Sequence, residues 1–114
     1  MAEVIEPIVI VQGDRARGVS ATLVDQDGTP INLTNNTVVF RMVTEDGVTL
    51  KVNNQSANVD SAADGTVSYD WGANDTNTAG TYRAYFIRTV TATSKIEHFP
   101  GNDTPFKVIV VPAL

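Results

Sequence analysis

The stretch Asn77-Thr78-Ala79-Gly80-Thr81-Tyr82-Arg83-Ala84-Tyr85-Phe86 decides the fold. A glycine-bearing turn is followed two residues later by a tyrosine, and the tyrosine opens an alternating run. That spacing suits the tyrosine corner of a β-sandwich. The ring packs inward at the start of a strand while the hydroxyl bonds back to the loop before it. Gly80 and Tyr82 are therefore read as a structural corner. Disulfide-stapled domains carry a cysteine two residues after this tyrosine, where this chain has Ala84.

Working outward, Tyr82, Ala84 and Phe86 share one face, and Arg83, Tyr85 and Ile87 the other. Upstream, Thr37 to Thr44 alternates in the same way, with Val38, Phe40 and Met42 against Val39, Arg41 and Val43. Glu45-Asp46-Gly47 turns that strand into a hairpin return, in which Val48, Leu50 and Val52 alternate with Thr49 and Lys51. Val19, Ala21 and Leu23 predict a strand within Arg17 to Val24, and Val67, Tyr69 and Trp71 predict another after Gly65. Asn53 to Asp64 is polar and reads as a loop. Downstream come a turn at Thr91 to Ser94, a short strand at Lys95 to Phe99, and a break at Pro100-Gly101-Asn102-Asp103. Ile8 to Val11 and Phe106 to Val111 are apolar on both phases and are expected to pair as first and last strands. No window shows a sustained helical stripe. Seven to nine short strands without helix or cysteine predict an all-β, immunoglobulin-like antiparallel β-sandwich with no disulfide.

The chain has 114 residues, enough for one core without metal or disulfide staples. We expect an N-terminal arm over residues 1–7 and one sandwich domain over residues 8–114, the arm ordering against a neighbouring subunit. A formal charge of -5 disfavours binding to nucleic-acid backbones and anionic membranes, both of which need clustered Lys and Arg. The first residues, Met1-Ala2-Glu3-Val4-Ile5-Glu6-Pro7, carry acids where a signal peptide carries bases. The Asn-x-Ser/Thr triplets at Asn32, Asn35, Asn54, Asn74 and Asn102 are read as loop composition.

Candidate chemistry is sparse. His98 is the one histidine, so any nucleophile system would rest on it, and it reads as an ordinary strand residue. Asp25, Asp27 and Gly28 resemble the start of a calcium loop. Their glycine offset is wrong and no closing glutamate follows, so a surface turn is expected. Asp70, Asp75 and Glu97 could supply a glycosidase pair beside Trp71, but Trp71 falls on the inward phase of its strand. No catalytic, cofactor or metal residue is assigned, and no small-molecule substrate is expected.

One pattern departs from a solvated sheet. Val39, Arg41 and Val43 point outward on one strand, and Arg83, Tyr85 and Ile87 on another expected to lie beside it. Arg, Tyr and aliphatic residues together have the composition of an interface core, and these six form the candidate partner-binding patch. A carbohydrate- or cell-surface-binding module is the alternative. It would need an exposed aromatic platform, and Tyr85 is the one clear outward aromatic.

Several pieces resemble, in order, the immunoglobulin-like N-terminal domain of baseplate upper proteins from tailed bacteriophages. They are Leu23-Val24-Asp25-Gln26-Asp27-Gly28-Thr29-Pro30-Ile31-Asn32-Leu33-Thr34, Val38-Val39-Phe40, Asp64-Gly65-Thr66-Val67-Ser68-Tyr69, Asp75-Thr76 through Ala79-Gly80-Thr81-Tyr82, and Phe99-Pro100 ahead of Val108-Ile109-Val110. The resemblance implies a non-enzymatic structural protein of the virion, made in the host cytoplasm. Its partners would be other virion proteins, with copies of itself as a second option. Members of that family continue into a long linker and a partner-binding C-terminal region. A baseplate or tail adaptor and a capsid or neck decoration are both compatible with the module.

Overall fold

The computed structural model describes residues 8–16, 18–25, 27–99 and 106–113, with Phe106 described by its backbone alone. The expected arm at Met1–Pro7 and the break at Pro100–Asp103 lie outside the described residues. Among the described residues nine strands follow in order: β1 (Ile8–Val11), β2 (Val19–Thr22), β3 (Asn36–Thr44), β4 (Leu50–Ser56), β5 (Asn58–Ser61), β6 (Thr66–Tyr69), β7 (Gly80–Val90), β8 (Lys95–Phe99) and β9 (Phe106–Val111). There is no helix among the described residues.

The strands form two sheets. The larger runs β1-β9-β7-β3-β4, with β8 also on β7, and the smaller runs β2-β6-β5. β7 organises the larger sheet. One of its edges pairs with β3 from Tyr82↔Thr44 to Val90↔Asn36. The other takes β9 along Gly80–Ala84 and β8 along Phe86–Val90, leaving Tyr85 between the two pairings. First and last strands do pair, Ile8↔Val108 through Val11↔Val111, and they run parallel in an otherwise antiparallel sandwich.

The core fills the space between the sheets, and its residues are those the alternation marks as inward. Val38, Phe40, Met42, Tyr82, Ala84, Phe86, Val108 and Val110 face Val19, Val67 and Tyr69 across it. Phe40 stacks on Tyr69 at 4.5 Å and meets Trp71 and Phe86 edge-on at 5.9 and 5.2 Å, the offset and T-shaped geometries that ring quadrupoles favour. Trp71 is 3% exposed, although it lies beyond the end of β6.

The corner forms as its spacing predicts. The Tyr82 hydroxyl donates to the Thr78 carbonyl at 2.7 Å, closing the loop ahead of β7. Gly80 has φ 151°, a conformation L side chains rarely adopt, while a Cβ there would meet the Tyr82 ring no closer than 3.8 Å. Backbone conformation rather than space therefore calls for glycine. The burial of the Tyr82 ring pushes its hydroxyl pKa up.

Two expectations need correction. Asn53 to Asp64 is not a loop: β4 continues to Ser56 and β5 occupies Asn58–Ser61. These are edge segments whose backbones pair on one side only, so their polar side chains carry no alternation to read. Leu50, expected to share a face with Val52, instead lies opposite Val43 on the outer face while Val52 lies opposite Met42. The register slips twice along β3 and β4, between Phe40 and Met42 and between Met42 and Val43. Each slip adds a residue to β4 and flips its phase. Asn54, at φ 50°, sits in the first slip, and asparagine tolerates that left-handed conformation better than most residues.

Candidate functional site

The six residues of the patch come together as three direct cross-strand pairs: Val39↔Ile87, Arg41↔Tyr85 and Val43↔Arg83. They cover the centre of the larger sheet on the face away from the core. Five are half-buried. Ile87, expected outward and exposed, is only 7% exposed, which corrects that part of the reading. Its strand is central, and Val39 on β3 and His98 on β8 flank it from both sides.

Register extends the patch beyond those six. Val9 and Val11 on β1 align with Ile109 and Val111 on β9, and Ile109 aligns in turn with Thr81 on the outward phase of β7. Leu50 lies opposite Val43, and Ile96 opposite Thr89. Val9 and Ile96 are 65% and 63% exposed, high for branched aliphatics on a sheet face. Sequence reasoning left these out because a strand's phase shows which residues share a face. It does not show which strands lie side by side.

The charges on this face are mostly positive. Arg41, Arg83 and Lys107 share it, with Lys107 directly opposite Arg83. The face's carboxylate at Glu45 reaches Lys107 at 3.3 Å, with both side chains more than half exposed, so the pair adds little stability. Neither Arg41 nor Arg83 has a hydrogen bond or ion pair among the described residues. The Nε of Arg83 is shut off from solvent and has no acceptor. Gly47, at φ 77°, leaves room beside it: a Cβ there would lie 2.9 Å from an Arg83 Nη. In the same turn, hydrogen bonds from the Thr44 hydroxyl and then the Val48 amide hold the Asp46 carboxyl below the usual range. The Arg83 charge adds the smallest share. His98 packs edge-on against Tyr85 at 5.8 Å, as a side chain of this face.

The residues weighed for other chemistry lie apart. The Asp25 carboxylate accepts the amides of Asp27 and Thr29 at 2.9 and 3.0 Å, the self-capping expected of a turn. Asp75 accepts the Tyr69 hydroxyl at 2.5 Å and the Gly72 amide at 2.7 Å. Burial of the Tyr69 hydroxyl, reinforced by that carboxylate, pushes its pKa well up. Asp70 contacts Asn58, and Glu97 pairs with Arg88 at 2.8 Å on β7. The three acids imagined as a glycosidase pair therefore serve three separate contacts. Trp71, Tyr69 and Tyr82 are all buried and cannot stack on a sugar. No group of three His, Asp or Glu able to hold a metal occurs among the described residues.

Comparison with known proteins places this architecture. The family model described as the BppU N-terminal domain matches residues 2–97. No curated protein matches the chain. The match takes in the tyrosine corner, the whole of β1 to β7 and all six patch residues with their cross-strand pairing on β3 and β7. The chain thus belongs to the family of N-terminal domains of phage baseplate upper proteins, structural components of the virion baseplate.

Proposed function

We propose that this chain is a non-enzymatic virion module that docks on other virion proteins through the outer face of its larger sheet. The observation that supports this most is the direct pairing of Val39 with Ile87, Arg41 with Tyr85 and Val43 with Arg83. Aliphatic, tyrosine and arginine side chains thereby form one continuous surface. Interface cores are enriched in tyrosine and arginine, and hot spots of about 2 kcal/mol or more concentrate in such residues when partly shielded by apolar neighbours. The smaller sheet offers a contrast: its outward positions are Ser20, Thr22, Thr66 and Ser68, a surface built for water.

The test is Tyr85→Asp combined with Arg83→Glu. Both side chains point away from the core, so the double variant folds and unfolds thermally close to wild type. Its copies per assembled particle fall to background. Normal incorporation of the folded double variant would move the docking surface off this face.

A further inference from the structure

We propose that Arg41 and Arg83 together hold one carboxylate, an aspartate or glutamate side chain presented by a different virion protein at the centre of the docking face. This rests on the docking reading above and names the chemistry of the partner.

The geometry carries the claim. Arg41 lies opposite Tyr85 and Arg83 opposite Val43, so the two arginines are diagonal neighbours on adjacent strands. Diagonal Cβ atoms in an antiparallel pair stand about 7 Å apart, a gap two long side chains can close around one small anion. Guanidinium donors match the two oxygens of a carboxylate better than any other side-chain pairing. Neither arginine has a hydrogen bond or ion pair among the described residues, Arg83 acting only weakly through its charge on Asp46, and the solvent-shielded Nε of Arg83 has no acceptor among them. A desolvated donor without an acceptor is rare in folded proteins, and an acceptor brought by a partner removes the deficit. The nearby Asp46 does not fill this role: among the described residues no ion pair joins it to either arginine, and its Oδ1 accepts from Thr44 and Val48 within its own turn. Val39, Val43, Ile87 and Tyr85 surround the two arginines and would exclude water on docking, which strengthens a charge-assisted hydrogen bond.

The same charges argue against a second copy. Face-to-face self-docking sets Arg41, Arg83 and Lys107 against their own counterparts, and like charges reject such a match. The smaller sheet of a second copy offers Asp60, but that carboxylate accepts from Ser68 at 3.2 Å within a serine- and threonine-lined face. The outward residues beside it, Ser20, Thr66 and Ser68, carry hydroxyls and are a poor match for Val39, Val43 and Ile87. An acidic residue set in an apolar surface of another protein fits on both counts.

The experiment uses virions assembled with Arg41→Lys or Arg83→Lys chains, treated with a zero-length carbodiimide that joins amines to carboxylates. Peptide mapping is expected to find Lys at 41 or 83 joined to an Asp or Glu side chain of another virion protein. Joining to a chain terminus, joining to a second copy, or no joining in variants that incorporate normally would each overturn the proposal. In parallel, Arg41→Gln with Arg83→Gln is expected to fold and to lower copies per particle on the order of tenfold or more. If a folded Lys variant fails to incorporate, the requirement for the guanidinium fork itself is supported. If the glutamine pair incorporates like wild type while Tyr85→Asp is excluded, the docking reading stands and the paired-arginine site falls. Normal incorporation of both removes the docking reading as well.

Discussion

Tyr82 and Tyr69 both donate a hydroxyl from the core, to acceptors of different strength, and removing each hydroxyl separates the two contributions. Tyr82→Phe deletes one neutral hydrogen bond, the 2.7 Å contact to the Thr78 carbonyl, and leaves the buried ring in place. The net loss for such a bond is about 1 kcal/mol. Tyr69→Phe deletes a 2.5 Å bond to the Asp75 carboxylate, which also anchors the Gly72 amide. Bonds to charged groups are worth roughly 1.5–3 kcal/mol, so this variant should lose more. Tyr82→Ala also empties the ring from the core, where Tyr82 is 3% exposed, and should lose about 3–5 kcal/mol. Urea titration followed by tryptophan fluorescence reads all three through buried Trp71. With a slope of about 1.3 kcal/mol per molar for a domain this size, the Tyr82→Phe midpoint falls by about 0.8 M and the Tyr69→Phe midpoint by about 1.5 M. The slopes themselves should not change. A Tyr69→Phe midpoint at or above that of Tyr82→Phe would refute the reasoning about the acceptors. Wild-type stability for Tyr82→Ala would remove the corner as an anchor of the fold.

The other expectations are simpler to check. Asp46 has a depressed folded pKa, so its stabilisation is complete above the ordinary carboxylate range and is lost as pH falls through the depressed value. The melting-temperature gap between wild type and Asp46→Asn should be widest at neutral pH and close in acid; a gap independent of pH counts against it. Removing residues 1–7 should leave the melting temperature within a few degrees of wild type, because the pairs from Ile8↔Val108 to Val11↔Val111 do not use them, and a large loss would make those residues part of the fold. Val9→Lys places a charge on an exposed edge strand that has no charged residue of its own. It should change stability by no more than about 0.5 kcal/mol while lowering aggregation measured by light scattering. Unchanged or greater aggregation would count against the β1 edge as the surface through which copies associate.

Much of this protein is legible in one dimension. Alternation in Val38-Val39-Phe40-Arg41-Met42-Val43 and in Tyr82 to Ile87 sorts inward from outward side chains, because successive side chains in a strand take opposite faces whatever the strand's neighbours are. The tyrosine corner is legible for a similar reason: its glycine, its tyrosine and the loop carbonyl it binds all fall within a few residues. The polar edges were not. Asn53 to Ser61 forms strands through backbone pairing that leaves no side-chain signature, and the slips that turn Leu50 outward belong to the pairing of β3 with β4 rather than to either strand alone. The functional surface divides in the same way. Local alternation assigned Val39, Arg41, Val43, Arg83, Tyr85 and Ile87 to outward phases, whereas only the long-range register of the sheet pairs them, adds Val9, Leu50, Ile96 and Lys107, and buries Ile87 between two neighbours. Contacts between residues far apart in the chain depend on which strands become neighbours, and that is settled by the packing of all nine together.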